Sequence, residues 1–225
     1  MMQQDPSSVP AYDRYSLPAG ATASLCFDVL RKAGLAPRAI GSPLEPIDPC
    51  VPFIGRAFTV RGEADPRISD HESLLQWTRM LSLTPANAVL VIAPGDCERA
   101  YMGELSANAL VLRHSPAAVV DGPCRDITQI RALGYPVFCR GITPRDVVGA
   151  WHPVEYGGSI TVNGCEMSCA DLVIGDADGL CIAPVESYHI LCRHLESALN
   201  SENLVRDAIL GGSDPLSAYQ RHGKF

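Results

Sequence analysis

Lysine is nearly missing from this chain of 225 residues: only Lys32 and Lys224 occur. Schiff-base catalysis needs a lysine amine held in a desolvated pocket, whereas Lys32 stands beside an expected helix end and Lys224 next to the last residue. The Gly-Lys-Ser/Thr core of a phosphate-binding P-loop is missing too, because Lys224 sits in Gly-Lys-Phe. Long apolar runs are absent. No stretch approaches the roughly 20 uncharged apolar residues of a bilayer span, and the first twenty residues lack the basic-then-apolar pattern of a secretory leader. The expectation is a cytoplasmic protein with no membrane partner. Blocks of like charge are also lacking: 18 Lys+Arg face 25 Asp+Glu, a net charge of -7, so no nucleic-acid footprint is present. A small acidic substrate would therefore need a local basic group. Nine cysteines are present, but the number is odd, the spacing irregular and no Cys-x-x-Cys occurs, which argues for reduced core residues over disulfides or zinc. His189 and His194 are five residues apart rather than four and do not form the one-face pair of a zinc helix.

What is present suits a globular core, with 47% hydrophobic residues. Residues 1–20, rich in Pro, Ser and Gln, read as an arm lying on the surface or on a neighbour, and 21–225 as one catalytic domain. Thr22 to Ala33 reads as a helix with Leu25, Val29 and Leu30 on one face and Gly34 as its stop. A proline-rich connection from Pro37 to Pro52 follows, then a strand from Phe53 to Gly62. A helix from Asp70 to Leu83 sets Leu74, Leu75 and Leu81 at helical spacing.

The middle of the chain is clearest: strand Ala88–Ala93, helix 103–113, strand Ala117–Val120, helix 126–133, strand Pro136–Cys139. This β-α-β-α-β run predicts parallel strands with ligands at their carboxyl ends, in 94–104 and 121–126. Ser159–Val162, Leu172–Ile174 and Leu180–Ala183 read as strands of a smaller β layer, and Val185 to about Leu210 as a long C-terminal helix ended by Gly211-Gly212. The expected fold class is α/β.

Two acids fall where a site is expected, Glu104 and Asp126, each at a helix start after a strand. Carboxylates and water are what Mg²⁺ prefers, and it commonly takes only one or two carboxylates directly. Acids at helix N-termini also simply complement the macrodipole. Arg125 adds a carboxylate-binding fork beside Asp126, and the free N–H groups of Leu105 and Ser106 add a second anion cradle, an arrangement matching a 2-oxo acid. An Arg125–Asp126 surface pair is the plainer alternative. Asp121-Gly122 reads as a turn allowing close approach, Cys124 as packing, Asp176-Ala-Asp-Gly179 as a β-turn, and Arg145-Asp146 after Pro144 as a helix start away from the chemistry.

The runs Gly103-Glu-Leu-Ser-Ala, Val119-Val-Asp-Gly-Pro-Cys-Arg-Asp126, Leu172-Val-Ile-Gly-Asp-Ala-Asp-Gly179 and Pro184 resemble the RraA-like family, which includes 4-hydroxy-4-methyl-2-oxoglutarate/4-carboxy-4-hydroxy-2-oxoadipate aldolases. The likeness is good from about 88 to 184 and patchy before residue 50. It implies a swivelling-domain type of fold and a divalent-metal-dependent lyase that cleaves 4-hydroxy-2-oxo dicarboxylic acids to pyruvate, with oxaloacetate decarboxylation as a companion activity. Arg125 would grip the substrate with Gly103, Leu105 and Ser106, Asp126 would bind Mg²⁺ or Mn²⁺, and Glu104 would hold metal-bound water. The resemblance also implies a homotrimer or homohexamer in which an acid of a neighbouring C-terminal helix, Glu202 or else Glu196, completes the site. The family's name-giving member binds and inhibits a ribonuclease, so a non-catalytic regulator is the alternative, and another enolate-forming lyase or hydratase a third reading. Aldolase members carry an acid three residues after the metal aspartate, where this chain has Gln129, which puts the reaction itself in question.

Overall fold

The computed structural model describes residues 11–49 and 52–224. In chain order it contains α1 (Ala23–Lys32), β1 (Arg38–Ile40), β2 (Glu45–Pro46), β3 (Phe53–Ala64), α2 (Asp70–Leu83), β4 (Ala88–Ala93), α3 (Glu104–Leu112), β5 (Ala118–Val120), β6 (Pro123–Cys124), α4 (Ile127–Leu133), β7 (Val137–Cys139) and β8 (Gly141–Ile142). There follow β9 (Trp151–Tyr156), β10 (Ile160–Val162), β11 (Cys165–Met167), β12 (Asp171–Asp176), β13 (Gly179–Pro184), α5 (Tyr188–Leu210) and α6 (Pro215–His222).

The main sheet runs β1-β13-β12-β3-β4-β5-β7-β2, with β3, β4, β5 and β7 parallel and the outer pairings antiparallel. This is the mixed α/β architecture with a parallel segment and a long C-terminal helix. β3 is long enough to use two partners on one edge: Phe53–Arg56 pairs with β12 and Val60–Ala64 with β9. The switch is marked by a bulge at Arg61/Gly62, where a Cβ on Gly62 would come within 1.8 Å of the Trp151 ring.

Side chains alternate across the buried central strand as the pleat requires. Leu90 and Ile92 face a core roofed by α2, α3 and α4, with Met80, Leu110, Ile130 and Trp151. Val89 and Val91 face the other side, closed by the β10–β11 hairpin. A third cluster joins α1 and α5 to β12 and β13 through Leu25, Leu30, Ile174, Leu191 and Leu195. The helix ends follow local chemistry: Thr22 and Ser69 cap α1 and α2, and Asp214 caps α6 with Pro215 in its first turn, each cap contributing about 1 kcal/mol.

Several readings are corrected. The smaller β layer is reduced to short pairs such as β10–β11, because β12 and β13 join the main sheet antiparallel to β3. On α2 the inward face is Ser73, Met80 and Leu83, while Leu74 and Leu75 are 47% and 50% exposed. No helix begins at Arg145-Asp146; those residues lie in a loop between β8 and β9. Of the expected arm, residues 1–10 lie outside the described residues. The rest is strapped down by Tyr12, whose N–H donates to Ala86 O, and by Arg14 and Asn87, whose side chains hydrogen-bond. No helix among the described residues is long and apolar enough to cross a membrane.

Candidate active site

The segments after β4 and β5 are laced together by backbone bonds. Tyr101 N donates to Pro123 O at 2.8 Å and Arg125 N to Met102 O at 2.9 Å. That pairing brings residues about twenty apart in sequence to one place, with α3 starting at Glu104 and α4 at Ile127. Gly103 sits in the contact: a Cβ there would lie 2.7 Å from Asp126 Oδ2 and 3.3 Å from Arg125 Cγ. Its part is to let the two strand ends close.

Asp126 adopts φ 58, ψ 39, the left-handed region that a non-glycine residue rarely occupies and Asp tolerates best. In this conformation its carboxylate turns away from its own helix. Oδ2 accepts the Glu104 N–H at 3.1 Å, so Asp126 caps α3 rather than α4, while Oδ1 has no recorded partner. The Leu105 and Ser106 N–H groups have no acceptor among the described residues. Ser106 is buried, its hydroxyl accepting the Trp77 indole N–H at 3.1 Å, whereas the Leu105 side chain is 79% exposed. Glu104 Oε1 accepts from the Asn108 amide at 2.6 Å and Oε2 is unengaged.

Arg125 lies between two carboxylates, its Nε 3.6 Å from Asp126 Oδ2 and its Nη1 3.3 Å from Asp146 Oδ2. The sequence reading that sets Asp146 away from the chemistry is corrected here, since nothing local links it to Arg125. The link is tertiary: Ala100 N donates to Arg145 O at 2.7 Å and Thr143 N to Cys124 O at 3.0 Å, bolting the 143–148 loop against the site. Asp146 Oδ1 in turn accepts the Val148 N–H at 3.3 Å. Two carboxylates, Asp126 and Asp146, thus flank one guanidinium and leave the trio net negative. Among the described residues no cluster of three or more His, Cys, Asp or Glu could cage a metal. The donor with spare capacity is Asp126 Oδ1, a hard oxygen of the kind that suits an ion keeping most of its water and taking one carboxylate directly.

The other named residues lie as follows. Gln129 is exposed with no side-chain hydrogen bond recorded. Glu202, on α5, is paired within its own chain with Arg206 at 2.9 Å and Lys224 at 3.0 Å, and Glu196 is exposed on the same helix. To serve a neighbour's site Glu202 would have to leave both partners. Cys124 is fully buried and burial pushes its thiol well up, while the hydrogen bond it shares with Cys139 draws the Cys139 thiol down to about 7. Packing is its role. His189 and His194 are exposed on α5. Asp176 and Gly179 form the tight β12–β13 turn, with Asp176 Oδ2 also accepting the Ala23 N–H at 2.7 Å.

This fold and arrangement define an α/β protein with a polar cluster at helix N-termini beside the parallel strand ends. The chain belongs to the RraA-like family, described as Aldolase/RraA, whose model matches residues 22–182. A Halalkalibacterium halodurans protein named "Putative 4-hydroxy-4-methyl-2-oxoglutarate aldolase" is 30% identical over 146 residues, 64% of this chain and 65% of that one. The chain thus spans just under two thirds of that relative, and 59% and 28% of two further curated relatives. Streptomyces coelicolor RraAS2, described as an unusual member of the RNase ES inhibitor RraA family, superposes with a TM-score of 0.66 at 22% identity, covering 84% of this chain and 98% of that one. The RNA-processing inhibitor RraA from Thermus thermophilis gives 0.58 at 21%, covering 73% and 93%. At these identities the structural likeness speaks for the fold.

Proposed function

We propose that this protein is a divalent-metal-dependent lyase of small 2-oxo acids, cleaving a 4-hydroxy-2-oxo dicarboxylic acid to pyruvate. The observation that carries the reading is the convergence of Arg125, Asp126, Glu104 and the free Leu105 and Ser106 N–H groups at the start of α3. The similarity to a protein named as an aldolase supports it.

Asp126, with Glu104 through water, would hold Mg²⁺ or Mn²⁺, which when bound supplies Lewis-acid polarisation of the 2-oxo group. The remaining work falls to the chain itself. Arg125 and the two amides bind the substrate carboxylate and fix its orientation, the guanidinium by charge-assisted hydrogen bonds and the amides through the helix N-terminus. Asp146 steadies Arg125 from the side opposite Asp126. A water held by Glu104, or by Glu202 of a neighbouring subunit, takes the proton of the 4-hydroxyl. As that O–H is lost the C3–C4 bond breaks, the distal fragment leaves as a carbonyl compound, and the same water returns a proton to C3 of the three-carbon fragment to give pyruvate. Gln129 cannot serve as a carboxylate base, which concentrates proton transfer on Glu104 or on an acid from a second subunit.

A ring of three or six subunits, with Glu202 of a neighbour completing the site, belongs to the same proposal. Leu105 and Leu112 on α3 are 79% and 82% exposed, and Leu74 and Leu75 lie on the adjoining α2, an apolar surface suited to burial against another copy. Light scattering after gel filtration measures the assembly directly.

The test is pyruvate release from 4-hydroxy-4-methyl-2-oxoglutarate and from oxaloacetate, coupled to lactate dehydrogenase, with Mg²⁺ and with excess EDTA. EDTA-sensitive pyruvate from the first substrate is the expected result; from oxaloacetate alone it would make the protein a decarboxylase or another enolate-forming lyase. Pyruvate from neither, together with a stoichiometric ribonuclease partner in a pull-down, would replace the lyase by a binding regulator.

A further inference from the structure

We propose that a cavity distinct from the Arg125 cluster is an anion-binding site that takes an oxyanion group, phosphate or carboxylate, through Arg61 and Arg140. The cavity, of about 510 Å³, opens where all four parallel strands end. Arg61 and Gly62 come from β3, Ala93 to Cys97 from the end of β4, Asp121 from the end of β5 and Arg140 from the end of β7. This is where open α/β sheets place ligands, and neither Arg125 nor Asp126 lines it.

The sign of the ligand follows from counting which polar groups still have capacity. Both carboxylates in the wall are engaged internally at each of their oxygens. Asp121 Oδ1 accepts from Arg140 Nε and Oδ2 from Asn163 N at 3.0 Å. Asp96 Oδ1 accepts the Glu98 N–H at 2.8 Å and the Tyr101 hydroxyl, and Oδ2 is 3.2 Å from Arg99 Nη1. The donors are not used up. Arg61 spends only Nε, on Glu155 at 3.0 Å, leaving both terminal nitrogens free, and Arg140 spends Nε and Nη2, leaving Nη1. The hydroxyls of Ser159 and Thr161, also in the lining, have no hydrogen-bond partner among the described residues. The cavity is thus nearly neutral by formal charge, but its unspent hydrogen bonds are donors, two of them guanidinium groups whose fork matches phosphate or carboxylate. A cation would have to share carboxylate oxygens that already accept hydrogen bonds from the protein.

Two sources share this chemistry: free phosphate, or the distal carboxylate of a dicarboxylic 2-oxo acid. Titration calorimetry of the full-length protein with inorganic phosphate, 2-oxoglutarate and pyruvate separates them, using wild type, Arg61→Ala and Arg125→Ala. Arg61 is half-exposed and makes one surface ion pair, so Arg61→Ala should keep the wild-type melting temperature. Expected for a free-anion site is phosphate binding weakened about tenfold by Arg61→Ala and unchanged by Arg125→Ala. A distal-carboxylate subsite instead shows 2-oxoglutarate weakened by Arg61→Ala while pyruvate is not. Identical binding of all three ligands by wild type and Arg61→Ala, or no phosphate or 2-oxoglutarate binding by wild type, overturns the proposal. None of these readings needs turnover. Failure of the lyase reading would show separately, as pyruvate binding indifferent to Arg125→Ala.

Discussion

The segment from Asp121 to Asp126 carries an arginine–aspartate pair at each end, and the two are built in opposite ways. Asp121 is locked: it bonds Arg140 and the Asn163 N–H, and the two side chains are 15% and 28% exposed. Asp126 is open: its contact with Arg125 is 3.6 Å, one carboxylate oxygen is unused, and both side chains are about 40% exposed. A closed pair serves the fold, holding the β5 end to the loop after β7 and to the β10–β11 hairpin, with Arg140 Nη1 alone left toward the cavity. An open pair with spare valences, held in a left-handed backbone conformation, leaves capacity for a ligand.

That contrast sets the expected sizes of effect. Asp126→Asn, which tolerates the left-handed backbone and can still accept the Glu104 N–H, should lower kcat by about a thousandfold or more, the several kcal/mol that a metal supplies, while the melting temperature stays near wild type. A stopped coupled assay with matched calorimetry checks both halves. Asp121→Ala should do the reverse, costing about 3 kcal/mol of stability because Arg140 is left half-buried and unpaired, with turnover per folded molecule largely kept. Urea titration reads the first quantity and active-site-normalised assays the second. Asp146→Asn should raise KM about tenfold with kcat less affected, since it loosens the arginine that orients the substrate. An equal fall in kcat at constant KM would instead place Asp146 in the chemistry. Gln129→Ala, at an exposed position without partners, should change turnover by less than about threefold; a larger loss would show that Gln129 handles the proton.

Legibility in the sequence followed the range of the forces involved. The β-α-β-α-β core was readable because each buried strand is a continuous apolar run and each helix begins at an acid or cap, both local signals. Where β12 and β13 pair was not readable, since an apolar strand fits any sheet and the choice is made by long-range register with β3. β9 was hidden by Pro153, which is tolerated because β9 pairs with β3 alone and does not donate on its free edge. α6 carries local signals of its own, Asp214 as cap and Pro215 at the first position. On α2 the leucine spacing misled because Met80 and Ser73 point inward, Ser73 donating to the backbone oxygens of Val147 and Trp151. Arg125, Asp126 and Glu104 could be proposed from position and resemblance. Asp146 could not, because only the packing of its loop brings it to Arg125.

The most direct test of the contrast is divalent-metal binding, read without turnover. Manganese titration followed by electron paramagnetic resonance should show a bound ion in wild type and in Asp121→Asn, and none in Asp126→Ala. Manganese held as tightly by Asp126→Ala as by wild type would contradict the assignment of the open carboxylate as the metal's ligand.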